Sequence, residues 1–274
     1  MSEYETLVVQ HQDGVAIVTL NRPKALNAMD QRMWVELGAA FDALSLESTV
    51  RAIVLLGGES RHFSAGLDLR DFMEVFAGDQ SQDAGRKAVA LRQRISQMQQ
   101  NITAAENCRV PVIACVHGGV IGGAIDLITA CDIRIASSDA FFSVKEVDIG
   151  MAADVGTLQR LPKVVRSDSW VRDVCLTGRR FDAQEALQQG LVSRVCEDKK
   201  AAVAAALELA STIAKKSPIA VAGTKHLLNY SRSRTTQEGL LYTQAWNMSM
   251  LQSEDLGTAA MASLSRQVPR FAAL

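Results

Sequence analysis

The chain has 274 residues, 48% of them hydrophobic and 22% charged, and a formal net charge of -1. That composition can fill a soluble core. The near-zero charge, the lack of a basic run interleaved with aromatics and the lack of any apolar stretch of spanning length argue against nucleic acid or membrane as partners.

Residues 5–11 and 14–20 (ETLVVQH and GVAIVTL) flank Asp13-Gly14 and predict a β-hairpin. Asn21-Arg22-Pro23 ends its second strand. Asp30 is placed to cap the helix that follows, MWVELGAAFDALS, whose apolar spacing is helical. VRAIVLLGG at 50–58 reads as a buried strand that runs into a loop, ESRHFSAGLDL, with Gly66 at its turn. In that loop His62 reads as an ordinary loop residue, and Asp68 as a cap or ion-pair partner. Residues 77–87 (AGDQSQDAGRK) read as a mobile loop, after which helical spacing resumes through 88–107.

VPVIACVHG is a strand. GGVIGGAIDLITACD is a glycine turn opening a helix, with Asp126 in its first turns. Asp132 to Ala136 is another short strand, followed by AFFSVKEVDIG. The alternation of strands and helices predicts an α/β layered fold. A strand-strand-helix rhythm in the first 60 residues recurs loosely over 109–131 and 132–165. Strands vanish from about residue 200, and Ala- and Leu-rich helical pattern takes over. Two regions are therefore expected: residues 1–199, holding the site, and residues 200–274, a helical section.

The five cysteines, at 108, 115, 131, 175 and 196, form no CxxC pair. Cys115 and Cys131 lie in apolar runs and read as small core residues of a reducing compartment. The four His, at 11, 62, 117 and 226, have no metal-ligand spacing, so no metal is expected. His117 reads as a structural imidazole held by a backbone carbonyl. The N-terminus has neither signal-peptide nor transit-peptide character, and the last residues are not Ser-Lys-Leu. These readings predict a cytoplasmic protein.

The candidate chemistry lies between Val116 and Gln159, where Asp126, Glu146 and Asp154 stand among apolar residues beside a glycine-rich turn. Burying an acid is costly unless it has a partner or a task, and three in one apolar stretch point to a catalytic pocket. The glycine turns at 64–67 and 118–123 each precede a helix. If the fold joins them, two backbone N–H groups can hold one developing oxyanion while carboxylates move protons. That combination suits chemistry at the carbon next to a carbonyl.

Five ordered stretches carry a family resemblance over essentially the full length: LNRPKALNAM at 20–29, FSAGLDL at 63–69, GGVIGGAIDLITACDIRIAS at 118–137, GTLQRLPKVV at 156–165 and LTGRRFDAQEALQQGLVSRV at 176–195. The chain resembles the enoyl-CoA hydratase/isomerase (crotonase) superfamily. The resemblance implies a spiral of ββα units and a C-terminal helical trimerisation region covering the site. It implies a homotrimer or homohexamer, and an acyl-CoA substrate whose coenzyme A is part of the substrate rather than a cofactor. The oxyanion donors would be the N–H groups of Leu67 and Gly123. Ala65, Gly66, Asp68, Leu69, Lys24 and Trp246 would contact substrate, with Arg22 beside Lys24 on the CoA side.

Within the superfamily, VKEVDIGMAADVGTLQRLPKVV and WNMSMLQSEDL at 246–256 resemble the Δ3,5-Δ2,4-dienoyl-CoA isomerases. A hydratase carries Gly where this chain has Asp154, and Glu where it has Asp126. The resemblance implies that Glu146 and Asp154 shuttle protons while Asp126 stays in the pocket. The departures from that branch are mild: Ala124 stands for Gly, and Leu67 for Ile. A 2-enoyl-CoA hydratase and a non-catalytic acyl-CoA-binding protein are the competing readings.

Overall fold

A computed structural model describes residues 4–77 and 83–274. Strands β1 (Leu7–Gln12) and β2 (Val15–Leu20) form the expected hairpin. Its turn residues Asp13 and Gly14 both have positive φ, 49° and 80°, as a tight turn matched to strand twist requires. Helix α1 (Gln31–Leu46) begins where expected: the Asp30 carboxylate accepts the Met33 N–H at 2.9 Å. It buries Met33, Trp34, Leu37, Phe41 and Leu44 along one stripe.

Strand β3 (Ala52–Leu56) pairs parallel with β2, and the chain then reaches α2 (Leu69–Ala77) and α3 (Ala84–Asn107). Of the expected 77–87 loop, residues 78–82 lie outside the described residues. Asp83 caps α3 by accepting the Arg86 N–H at 3.0 Å, so the helix starts several residues before the apolar spacing becomes evident.

The loose rhythm in the sequence corresponds to a real repeat. Strand β4 (Val112–Val116), strand β5 (Gly119–Ile121) and helix α4 (Gly123–Ala130) form one unit; β6 (Ile133–Ser137), β7 (Phe141–Ser143) and α5 (Thr157–Val164) form the next. In each unit the first strand joins one sheet and the second strand another. After α6 (Asp168–Thr177), β8 (Phe181–Asp182), α7 (Ala183–Gln189) and β9 (Arg194–Cys196) complete both sheets. Their orders are β1-β2-β3-β4-β6-β9 and β5-β7-β8. Residues 119–121, read from sequence as part of a glycine turn, are thus a strand. Three residues are too few to show alternation, and β5 exists because it pairs with β7. Every residue of α4 is buried, which its apolar composition on all sides permits.

Helix α8 (Lys199–Ala214) starts the strand-free region, capped by Asp198, whose carboxylate accepts the Ala201 N–H at 2.7 Å. It is a core element. Ala202, Ala206, Ala210 and Ala214 recur every four residues and pack on Val15, Ala52, Val54, Ile113, Cys115 and Ile135 of the large sheet. The helices beyond are α9 (Pro218–Ser231), α10 (Thr236–Met250) and α11 (Glu254–Leu264). Buried Lys225 ties α9 to the core: its Nζ donates to the carbonyls of Ala105 and Val110, each at 3.0 Å, and pairs with Asp132 at 2.7 Å. Among the described residues, no helix is long and apolar enough to cross a membrane.

Candidate active site

The site forms where the loop after β3 crosses the turn between β5 and α4. Ser64 N–H donates to Gly119 O at 3.1 Å, and Ile121 N–H donates to Ser64 O at 3.2 Å. On its other side the loop is stitched to residues 27–29: Met29 N–H donates to Gly66 O at 2.7 Å, and Asp68 N–H to Met29 O at 3.1 Å. Gly66 has φ +84°, and a Cβ there would drive into the Ile121 carbonyl and stand 3.4 Å from Gly123 N. Only glycine permits this approach.

The stitching leaves the N–H groups of Leu67 and Gly123 without backbone acceptors among the described residues. Gly123 is the first residue of α4, where an N–H has no intrahelical partner. Both residues line a cavity of about 660 Å³.

Asp126, Glu146 and Asp154 border the same cavity. Asp126 projects from buried α4 and is 1% exposed; its Oδ1 accepts the Thr157 N–H at 2.5 Å. Burial, then the charge of Glu146, pushes its pKa up to about 7. Glu146 starts a short 3-10 turn (Glu146–Ile149) and is buried; burial, then neighbouring Asp154, raises its pKa above the usual carboxylate range. Its Oε2 is buried with no hydrogen-bond partner among the described residues. Asp154 sits on the loop before α5, half-buried, and burial raises its pKa too. Burial thus biases all three acids towards their neutral forms.

The cavity walls are otherwise largely apolar. Phe72 and Met73 of α2 and Leu91, Ile95 and Met98 of α3 supply one side. Ala65 and Leu69 also line it. Asp68 holds Arg22 at 3.1 Å, and Arg22 also pairs with Asp30 at 3.0 Å, so this carboxylate fastens the 22–30 segment to the loop. Lys24 lies exposed on a 3-10 turn (Pro23–Ala25) and does not line the cavity. Trp246 is likewise outside it: its ring stacks on His226 at 4.4 Å, over Gly223 of α9. That packing of α10 on α9 takes up the indole.

His117 and His62 fasten backbone around the loop after β3. His117 Nε2 lies 2.8 Å from Ser60 O, the backbone carbonyl contact expected for it. His62 does more than its sequence context implies, since its Nδ1 accepts the Gly119 N–H at 2.9 Å. Asn27 is the residue that sequence reading overlooked. Fully buried with φ +52°, it donates through Nδ2 to Gly57 O at 2.8 Å and Phe63 O at 3.0 Å, and its Oδ1 accepts the Arg22 N–H at 2.9 Å. It holds the loop after β3 in place. The visible signal was an Asn closing a Pro-containing turn, a residue type that tolerates the left-handed region.

A family model described as enoyl-CoA hydratase/isomerase matches residues 10–272. The chain belongs to that family. It is 48% identical to the Delta(3,5)-Delta(2,4)-dienoyl-CoA isomerase, mitochondrial, of Homo sapiens over 261 residues, covering 95% of this chain and 79% of that one. It is 42% identical to the peroxisomal enzyme of the same name from Arabidopsis thaliana over 278 residues, covering 100% and 99%. The fold matches the crystal structure of an enoyl-CoA hydratase from Bacillus anthracis with a TM-score of 0.88 and 25% identity, over 98% of this chain and 99% of that one. The expectation of a cytoplasmic protein is corrected here, because these similar relatives are mitochondrial and peroxisomal by name.

Proposed function

We propose that this enzyme isomerises 3,5-dienoyl-CoA to 2,4-dienoyl-CoA in fatty acid oxidation. The observation that carries the reading is that Glu146 and Asp154 border one apolar cavity together with two N–H groups free to receive an oxyanion. A 3,5-dienoyl thioester is acidic at C2, because the carbanion delocalises into the thioester and along the diene. Glu146, with an unpaired buried oxygen, takes the C2 proton. Negative charge moves onto the thioester oxygen, where the Leu67 and Gly123 N–H groups hold it. Each such donor is worth roughly 3–4 kcal/mol in the transition state.

Asp154, whose pKa burial raises, delivers a proton to C6. The C3–C4 and C5–C6 double bonds become C2–C3 and C4–C5, so one proton leaves and one arrives. No added cofactor is required, since coenzyme A belongs to the substrate. Two acids reaching opposite ends of a conjugated system account for Asp154, which hydration would leave idle.

On this reading Ala65, Gly66 and Leu69 contact the thioester arm, and Lys24 the CoA side. The exposed apolar residues of α10 and α11, among them Leu240, Met248, Leu256, Met261 and Leu264, support self-association as a homotrimer or homohexamer. Purified enzyme mixed with a 3,5-dienoyl-CoA will develop the ultraviolet absorbance of the conjugated 2,4-dienoyl product, and 2-enoyl-CoA will be hydrated slowly or not at all. Fast hydration with no diene signal would overturn the proposal.

A further inference from the structure

Helix α5 has no cap of its own. Its N-cap residue is Gly156, at φ +139°, where a Cβ would strike the Arg160 guanidinium, and no side chain local to the turn accepts from its first N–H groups. An uncapped, buried helix start is costly, because its leading N–H groups have lost water without gaining a partner. The Thr157 N–H is instead met by Asp126, 31 residues earlier and on another helix, at 2.5 Å.

We infer that Asp126 is a positioning residue: from buried α4 it caps α5 and so fixes the loop that carries Asp154. This rests on the reading of Asp154 as the acid that protonates C6. The loop runs from Gly150 to Gly156, both with positive φ, and Asp154 lies three residues before the capped N–H. A second strut acts nearby, where Gln99 Nε2 of α3 donates to the Asp154 carbonyl at 2.6 Å. Arg160 of α5 also binds Glu106 at 2.7 Å and Thr103 at 2.8 Å on α3. The Asp154 backbone is thus pinned from two helices, α4 through Asp126 and α3 through Gln99.

The cap does not need a negative charge. The carbonyl oxygen of a neutral carboxyl accepts an N–H as the carboxylate does. Asparagine at 126 therefore keeps the tether and loses only the acid, whereas alanine loses both. This separates the inference from the rival role, in which Asp126 carries protons between Glu146 and Asp154.

Asp126→Asn, Asp126→Ala and Thr157→Pro are compared in the full chain. Proline is tolerated at the first position of a helix and removes the N–H from the other end of the bond. Three readouts are taken: kcat and KM on 3,5-dienoyl-CoA, solvent-deuterium exchange at substrate C2, and hydrogen exchange of the Thr157 amide.

Asp126→Ala and Thr157→Pro are each expected to lower kcat by about a hundredfold with KM little changed, while C2 exchange, which needs only Glu146, persists. Asp126→Asn is expected to recover most of that loss, with Thr157 protected as in the wild type and exposed in Asp126→Ala. An Asp126→Asn enzyme as slow as Asp126→Ala, with Thr157 still protected, would overturn the inference in favour of proton carriage. Loss of C2 exchange in Thr157→Pro, or full activity in Asp126→Ala, would overturn it as well. Should Asp126→Ala fail to fold, the Asn and Pro variants carry the same comparison. Wild-type enzyme that isomerises nothing overturns the functional reading instead, and Thr157 exchange distinguishes the two failures because it depends on the tether alone.

Discussion

Glu146 faces Gly122 so closely that a Cβ on the glycine would stand 3.1 Å from Glu146 Oε1. Gly122 has φ +53° and precedes the first residue of α4, so one position both turns the chain into that helix and leaves room for the acid. Gly122→Ala is expected to push the carboxylate aside and cost about 1–3 kcal/mol of backbone strain, because Gly122 at ψ −123° lies outside the left-handed helical well. Its kcat should fall at least about tenfold, while Gly190→Ala, also at positive φ (+85°) but with no neighbour nearer than 3.8 Å, should lose stability only. Equal activity in the two variants would show that Glu146 tolerates displacement.

The two shuttling acids should fail differently. Glu146→Gln removes the base, so both isomerisation and C2 exchange are expected to drop by about a thousandfold or more. Asp154→Asn leaves the base in place: isomerisation drops, C2 exchange continues and substrate binding stays within about threefold. An Asp154→Asn enzyme working at full rate would remove Asp154 from the chemistry.

Asp126 gives the fold a pH signature. Its pKa is pushed up to about 7 in the folded chain, against about 3.9 when unfolded. Between those values the folded state binds more protons, so the stability contribution is fully present below about pH 4 and is lost as pH rises towards 7. Asp126→Asn has no such slope. Its melting temperature should therefore gain on the wild type between pH 5 and 8, and parallel curves for the two proteins would refute the assignment.

Helix α8 should behave as core. Ala206 is fully buried in a stripe of alanines against the large sheet. Ala206→Leu overfills that seam and is expected to cost about 1–3 kcal/mol in urea unfolding. A cost within about 0.5 kcal/mol would mean that the strand-free region packs as an appendage.

What could be read in the sequence was mostly local. The Asp13-Gly14 turn, the Asp30 cap and the short buried strands rest on neighbours within a few residues, and they stand where the pattern put them. The acids were conspicuous because charge among apolar residues is rare. What was hidden depends on partners far along the chain. Asp68 meets Arg22 across 46 positions, and His62 meets Gly119 across 57. Strand β5 is defined by pairing with β7, and α8 reads as part of a helical tail until its alanines are seen against the sheet. Trp246 looked like a pocket residue from its motif, yet α9 takes its ring.

The central claim is that two different carboxylates handle the two protons. The most direct test is the isotope content of the product formed in heavy water, read by nuclear magnetic resonance at C6 of the 2,4-dienoyl chain. The account predicts deuterium at C6, because Asp154 draws its proton from solvent while a different group, Glu146, takes the one removed from C2. Unlabelled C6, carrying the hydrogen that left C2, would mean that a single group ferries the proton along the diene, and would contradict the account.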